Sequence, residues 1–128
     1  MADPIIYLDR STIREGRLDE LRAAIRELAE FVERQELQLL AYAAYLDERE
    51  GRMTVLHVHR DAASLERPMK VAGGQFARFA ELVELRHIDV YGAPNAATVA
   101  SLHGKARQLG NASVSIHPFE AGFVRDAG

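Results

Sequence analysis

The sequence predicts an α+β fold of the ferredoxin-like, split βαβ kind. Three observations predict it: amphipathic stripes at helical spacing that start at Leu18 and Leu65, short extended segments rich in apolar and β-branched residues, and the order strand, helix, strand, strand, helix, strand. In that order two helices cover one face of a four-stranded antiparallel sheet. At 128 residues and 48% hydrophobic content the chain has the size and apolar content to close one core. The expected organisation is a single domain over 1–128, with a ferredoxin-like core over 5–94 and a C-terminal helix and strand extension over 95–128.

Each element has its own signal. Residues 5–13 (IIYLDRSTI) are β-branched and free of glycine and proline, as a strand requires. From Gly16 the period changes, and Leu18, Leu21, Ile25, Leu28 and Val32 form one apolar stripe opposite Arg22, Arg26, Glu30 and Glu33. Residues 37–47 and 52–60 are extended and apolar, and the charged tip EREG between them predicts an antiparallel hairpin. A second helix follows on Leu65, Met69, Ala72, Phe76 and Phe79, with Pro68 in its first turn and Gly73 and Gly74 inside it. Residues 82–91 (LVELRHIDVY) read as a strand that ends at Gly92 and Pro94. Asn95 then caps a third helix whose stripe is Val99, Leu102, Ala106 and Leu109, Gly110 supplies its C-terminal glycine, and residues 113–124 form a last extended segment.

Composition excludes several functions. The net charge of −3 comes from 16 basic residues dispersed among 19 acidic ones, which is no nucleic-acid footprint. Without cysteine there is no disulfide, thiolate nucleophile or cysteine-ligated metal. The start MADPIIYLDR lacks a basic, then apolar, leader, and no run reaches the roughly 18 apolar residues of a membrane span. The expectation is a cytoplasmic protein with neither a nucleic-acid nor a membrane partner. No phosphate loop, nucleophile elbow or zinc-protease motif is present.

The residues able to carry chemistry gather on strands. Side chains two apart on a strand share a face, so His57 and His59 point one way and Leu56 and Val58 the other. The same alternation separates Tyr7 and Asp9 from Ile6 and Leu8, and His87, Asp89 and Tyr91 from Ile88 and Val90. One sheet face is thus expected to collect Ile and Leu, and the other Tyr7, Asp9, His57, His59, His87, Asp89 and Tyr91. Hydrophobicity alone would place the apolar set under the helices and leave the polar set as a hydrogen-bonded network against a partner subunit. The alternative turns the polar set toward a cleft beneath the helices. Two histidines at i and i+2 could ligate a metal, but the expected strand order puts His87 roughly 10 Å from them, across two strand spacings, so no metal site is expected.

The chain resembles the dimeric α/β barrel superfamily, and within it the antibiotic-biosynthesis-monooxygenase-like proteins. The segments that carry the resemblance are IIYLDRSTIREGRLDEL, MTVLHVHRDAASLE and FARFAELVELRHIDVYGAP, within residues 5 to 94. It implies a homodimer in which two sheets pack face to face into a closed barrel. The family's activities range from cofactor-independent oxygenation of polycyclic phenols or quinols to haem degradation and lactone isomerisation, so fold does not fix function. The haem-degrading members use a histidine on the second helix, and residues 60–80 contain none.

The resemblance implies a cofactor-independent monooxygenase-like protein, with no cofactor, that binds a small aromatic or quinol-type molecule between the sheet and the second helix. His57 and His59, with Tyr7 and Asp9, are the candidate catalytic residues, and His87, Met69 and Phe76 the candidate ligand-binding ones. The reading from another class is a non-catalytic dimeric ligand-binding or accessory protein in which the same polar residues hold the dimer together.

Overall fold

The computed structural model describes residues 4–36, 39–61, 76–123 and 125, with Phe76 and Ala77 described in backbone only. The elements are β1 (Ile5–Ile13), α1 (Leu18–Gln35), β2 (Leu39–Asp47), β3 (Arg52–His59), α2 (Phe76–Ala80), β4 (Val83–Tyr91), α3 (Ala96–Leu109) and β5 (Ser113–His117). The strands form one sheet in the order β2-β3-β1-β4-β5. The first four are mutually antiparallel in the ferredoxin-like order, and β5 joins the edge parallel to β4. Parallel neighbours need a crossover, and α3 supplies it.

Among the described residues the expected strands and the first and third expected helices form, with changes at their ends. Segment 39–47 is a strand, although its alanines and leucines also suit a helix. The extended segment expected over 113–124 is strand only to His117. The expected second helix lies mostly outside the described residues, Met69 included, and its described part is α2. At the hairpin tip Gly51 takes φ 64°, the left-handed conformation that lets the chain reverse. Asn95 caps α3 as expected: its side chain accepts from the Thr98 N–H at 2.8 Å.

Burial along β1 alternates, with Ile5, Tyr7, Asp9 and Ser11 buried and Ile6, Leu8 and Arg10 more open. The buried set faces the helices, which corrects the expectation from hydrophobicity alone. Ile6 and Leu8 lie on the outer face, and Tyr7 and Asp9 lie underneath α1 and α3. Register extends the correction to β4. Tyr7 pairs with Val90 and Asp9 with Ile88, while Leu8 pairs with Asp89 and Ile6 with Tyr91. His87, Asp89 and Tyr91 therefore lie on the face opposite Tyr7, Asp9 and His57. Alternation fixes the faces within a strand, whereas pairing fixes them between strands, and the apolar Ile88 and Val90 go to the helix-covered side.

A register shift between Arg10 and Ser11 adds one residue to β4, so that Ser11 pairs with Leu85 after Arg10 has paired with His87. Even-numbered Ile88 and Val90 and odd-numbered Val83 and Leu85 consequently share the inner face.

The core beneath the helices has two parts. One joins Ile5, Leu85, Ile88 and Val90 to Leu102, Ala106 and Leu109 of α3. The other joins Leu21 and Ala24 of α1 to Met53, Val55, Phe79 and Val83. The functional candidates lie where these parts meet.

Candidate active site

A cavity of about 90 Å³ lies between the inner face of the sheet and the helices. A water needs roughly 10–15 Å³ of such space, so the cavity is more than a single water site. Its walls are mostly apolar, with Ile25, Leu28 and Val32 from α1, Phe79 from α2, and Leu102 and Leu109 from α3. Its polar groups converge from four elements: Tyr7, Asp9 and Ser11 on β1, Tyr42 on β2, His57 on β3 and Lys105 on α3. An apolar chamber with a few convergent polar groups is the usual form of a small-molecule site.

Three of the polar groups form a closed set. Tyr7 Oη donates to Asp9 Oδ2 at 2.9 Å, and Lys105 Nζ donates to Tyr7 Oη at 2.5 Å and to Asp9 Oδ2 at 3.2 Å. Asp9 is only 4% exposed, and a buried carboxylate requires such partners. The ammonium also sits 4.8 Å from the centre of the Tyr7 ring.

His57 meets that set edge-on. Its ring centre is 4.7 Å from that of Tyr7 and 4.8 Å from that of Tyr42, and it stacks on His59 at 5.7 Å. Its Nδ1 is buried and has no hydrogen-bond partner among the described residues. Burial, then the Lys105 charge, then His59, hold the imidazole well below its ordinary pKa, so the ring is neutral at physiological pH. Burial and the Asp9 charge push the Tyr7 phenol well above its usual value, and the same two causes raise Tyr42. Both phenols are therefore proton donors at neutral pH.

Of the candidate residues read from the sequence, Tyr7, Asp9 and His57 line the cavity. His59 is fully buried behind His57. His87 is on the outer face and plays no part in the cavity; as expected, β1 lies between it and His57. Met69 and the side chain of Phe76 lie outside the described residues, and Phe79 of the same stripe does line the cavity. Among the described residues no group of three His, Asp or Glu side chains is placed to hold a metal ion.

Three polar residues of the site, Ser11, Tyr42 and Lys105, went unread in the sequence, and two of them left a signal. Lys105 stands three residues after Leu102 and four before Leu109, on the spacing of a buried stripe where a lysine is out of place. Tyr42 pairs with His57 in the hairpin, a partner that follows from counting outward from the EREG tip.

No protein-family model matches the chain, and no curated protein matches it. Solved structures do. MupZ from Pseudomonas fluorescens is 15% identical over 98% of each chain, with a TM-score of 0.75. SnoaB, a cofactor-independent oxygenase from Streptomyces nogalater, is 16% identical over 74% of this chain and 97% of its own, with a TM-score of 0.61. A protein from Bacteroides thetaiotaomicron with the proposed assignment of antibiotic biosynthesis monooxygenase is 22% identical over 65% of this chain and 85% of its own, with a TM-score of 0.52. Likeness at these identities is a likeness of fold. The chain has the α+β, ferredoxin-like fold of the antibiotic-biosynthesis-monooxygenase-like proteins.

Proposed function

We propose that this chain is a cofactor-independent monooxygenase-like protein that takes a small aromatic or quinol-type molecule into the helix-covered cavity. One observation carries the reading: a neutral imidazole with an unpartnered buried Nδ1 stands in an apolar chamber beside the proton-donating Tyr7. The likeness of fold to a cofactor-independent oxygenase supports it.

In this reading a hydroxyl or activated C–H of the ligand supplies the partner that His57 Nδ1 lacks. His57 accepts the proton, and the electron-rich anion that remains reduces molecular oxygen. The new C–O bond gives a peroxide on the same carbon, its O–O bond breaks with loss of water, and a CH₂ group becomes C=O. Balance requires one O₂ per substrate and releases one H₂O. Tyr7 is the nearby acid for the departing oxygen, and Asp9 holds its hydroxyl in place.

A second reading, a non-catalytic ligand-binding protein, is favoured by one feature. Tyr7, Asp9 and Lys105 already satisfy one another, and an imidazole with a lowered pKa is a weak base. In either reading the cavity residues face the helices, so they do not serve as dimer contacts.

Oxygen uptake with a panel of hydroquinones and tricyclic phenols, in the presence of a chelator, separates the two. The catalytic reading predicts turnover by the wild type and a loss of at least about a hundredfold in His57→Ala, in the range of general-base contributions. Saturable binding without oxygen uptake supports the binding-protein reading, and neither binding nor uptake would discard both.

A further inference from the structure

Helix α3 belongs to the segment that follows the four-stranded ferredoxin-like core, and both of its ends are fixed. Asn95 caps the start, and at the other end Gly110 approaches β4 so closely that a Cβ there would lie 2.6 Å from the Leu85 carbonyl oxygen. A helix held in this way places its side chains reproducibly. Lys105 lies along its buried side with 13% of its side chain exposed, and its stem carries the ammonium to β1, some 96 residues away in sequence.

There the ammonium touches Tyr7 Oη, Asp9 Oδ2 and the face of the Tyr7 ring, while His57 packs against the same ring in a T-shaped contact. The cation and the imidazole thus contact the same aromatic ring. The other titratable groups facing His57 are Tyr7 and Asp9 from β1, Tyr42 from β2 and His59 beside it on β3. The residues that α1, α2 and β4 contribute to the cavity are apolar, so Lys105 is the one cation among its described lining residues.

We infer that Lys105 is a positioning residue of this site: the appended helix delivers one ammonium that neutralises buried Asp9, fixes the Tyr7 hydroxyl and opposes a second positive charge on His57. This gives the C-terminal segment a functional role, that of completing a site whose other polar groups come from the core strands. It rests on the reading of His57 as the proton acceptor, because only an uncharged imidazole accepts. The direction in which Lys105 moves the His57 titration agrees with it.

The test is an NMR titration of the His57 imidazole in the ligand-free protein, which reads the electrostatics without any turnover. Lys105→Met is expected to raise the His57 pKa by at least one unit, and Lys105→Arg, which keeps the charge, to hold it near wild type. Asp9→Asn/Lys105→Met leaves no buried charge unpaired and provides a folded comparison if the single variant is unstable. It too is expected to raise the His57 pKa, by less than Lys105→Met, because the Asp9 charge that offsets Lys105 is lost with it. An unchanged His57 titration in a folded variant without the Lys105 charge would overturn the inference. Where the wild type consumes oxygen, the acid limb of its kcat/KM profile should move up with the titration in Lys105→Met. A wild type that consumes none counts against the catalytic reading alone, because the titration still reports on Lys105.

Discussion

Asp89 shows how much one buried carboxylate can organise on the outer face of the sheet. His87 Nε2 and His117 Nε2 lie 3.0 and 2.9 Å from its Oδ1, and Arg10 lies 3.7 Å from its Oδ2. With Nε2–H donating to Asp89, His87 leaves Nδ1 to accept from the Ser113 hydroxyl at 2.5 Å. His117 also stacks on Tyr91 at 4.5 Å. Hydrogen bonds from His117 and His87, with the nearby positive charge, outweigh desolvation and hold Asp89 below the ordinary carboxylate range. A depressed carboxylate stabilises the fold above its ordinary value of about 3.9, and that stability is lost as the pH falls through the lower folded-state value. Asp89→Asn is expected to cost about 1–3 kcal/mol at neutral pH, because both rings lose a charged acceptor. In urea unfolding the gap between wild type and variant should be present at pH 5 and shrink below about pH 4; a gap unchanged to pH 2 would contradict this account of Asp89. Alternation within a strand was enough to put Tyr7 with Asp9 and His57 with His59, whereas their meeting on one face rests on the pairing of Tyr7 with His57 between β1 and β3. No sequence signal marks the pair between His117 and Asp89, which depends on β5 lying parallel beside β4, a choice made by the packing of α3.

Among the elements, α3 is the one whose ends make the sharpest predictions. Gly110 takes φ 152°, and a side chain there would press on the Leu85 backbone. Gly110→Ala should therefore destabilise by about 2–3 kcal/mol, from strain and overpacking together. Asn95→Ala removes the cap at the other end and should cost about 1 kcal/mol. Thermal unfolding monitored by circular dichroism checks both, and a Gly110→Ala protein as stable as wild type would show that β4 yields to the added methyl. Periodicity made α1, α3 and the hairpin legible, since stripes of 3.6 and alternations of 2 survive in the sequence. It could not reveal the register of β4 against β1. There the shift after Arg10 changes the parity of the inward residues, and the pairing carries His87, Asp89 and Tyr91 to the outer face. Hydrophobicity misplaced β1 for a different reason: Tyr7 and Asp9 are tolerated beneath the helices because Lys105 satisfies them from α3.

At the scale of the whole molecule the two sheet faces differ in kind. The inner face is covered and holds the cavity, while the outer face leaves Ile6, Leu8, Leu56 and Val58 half-buried, Tyr91 37% exposed and Tyr45 60% exposed. Among the described residues no helix is long and apolar enough to cross a membrane. We propose that a second copy covers the outer face, as the resemblance to dimeric barrels implies. Sedimentation should then give a dimer for the wild type and a monomer for Leu56→Arg, because a charge would be buried at the centre of the contact. A monomeric wild type would remove the dimer from this account. The central claim, that the helix-covered cavity rather than the outer face is the site, meets its most direct test in a titration with a dihydroxynaphthalene followed through the imidazole resonances of the five histidines. Saturable shifts centred on His57, with His87 and His117 unmoved, are the predicted result; shifts at His87 and His117 with His57 unmoved would place the site on the other side of the sheet.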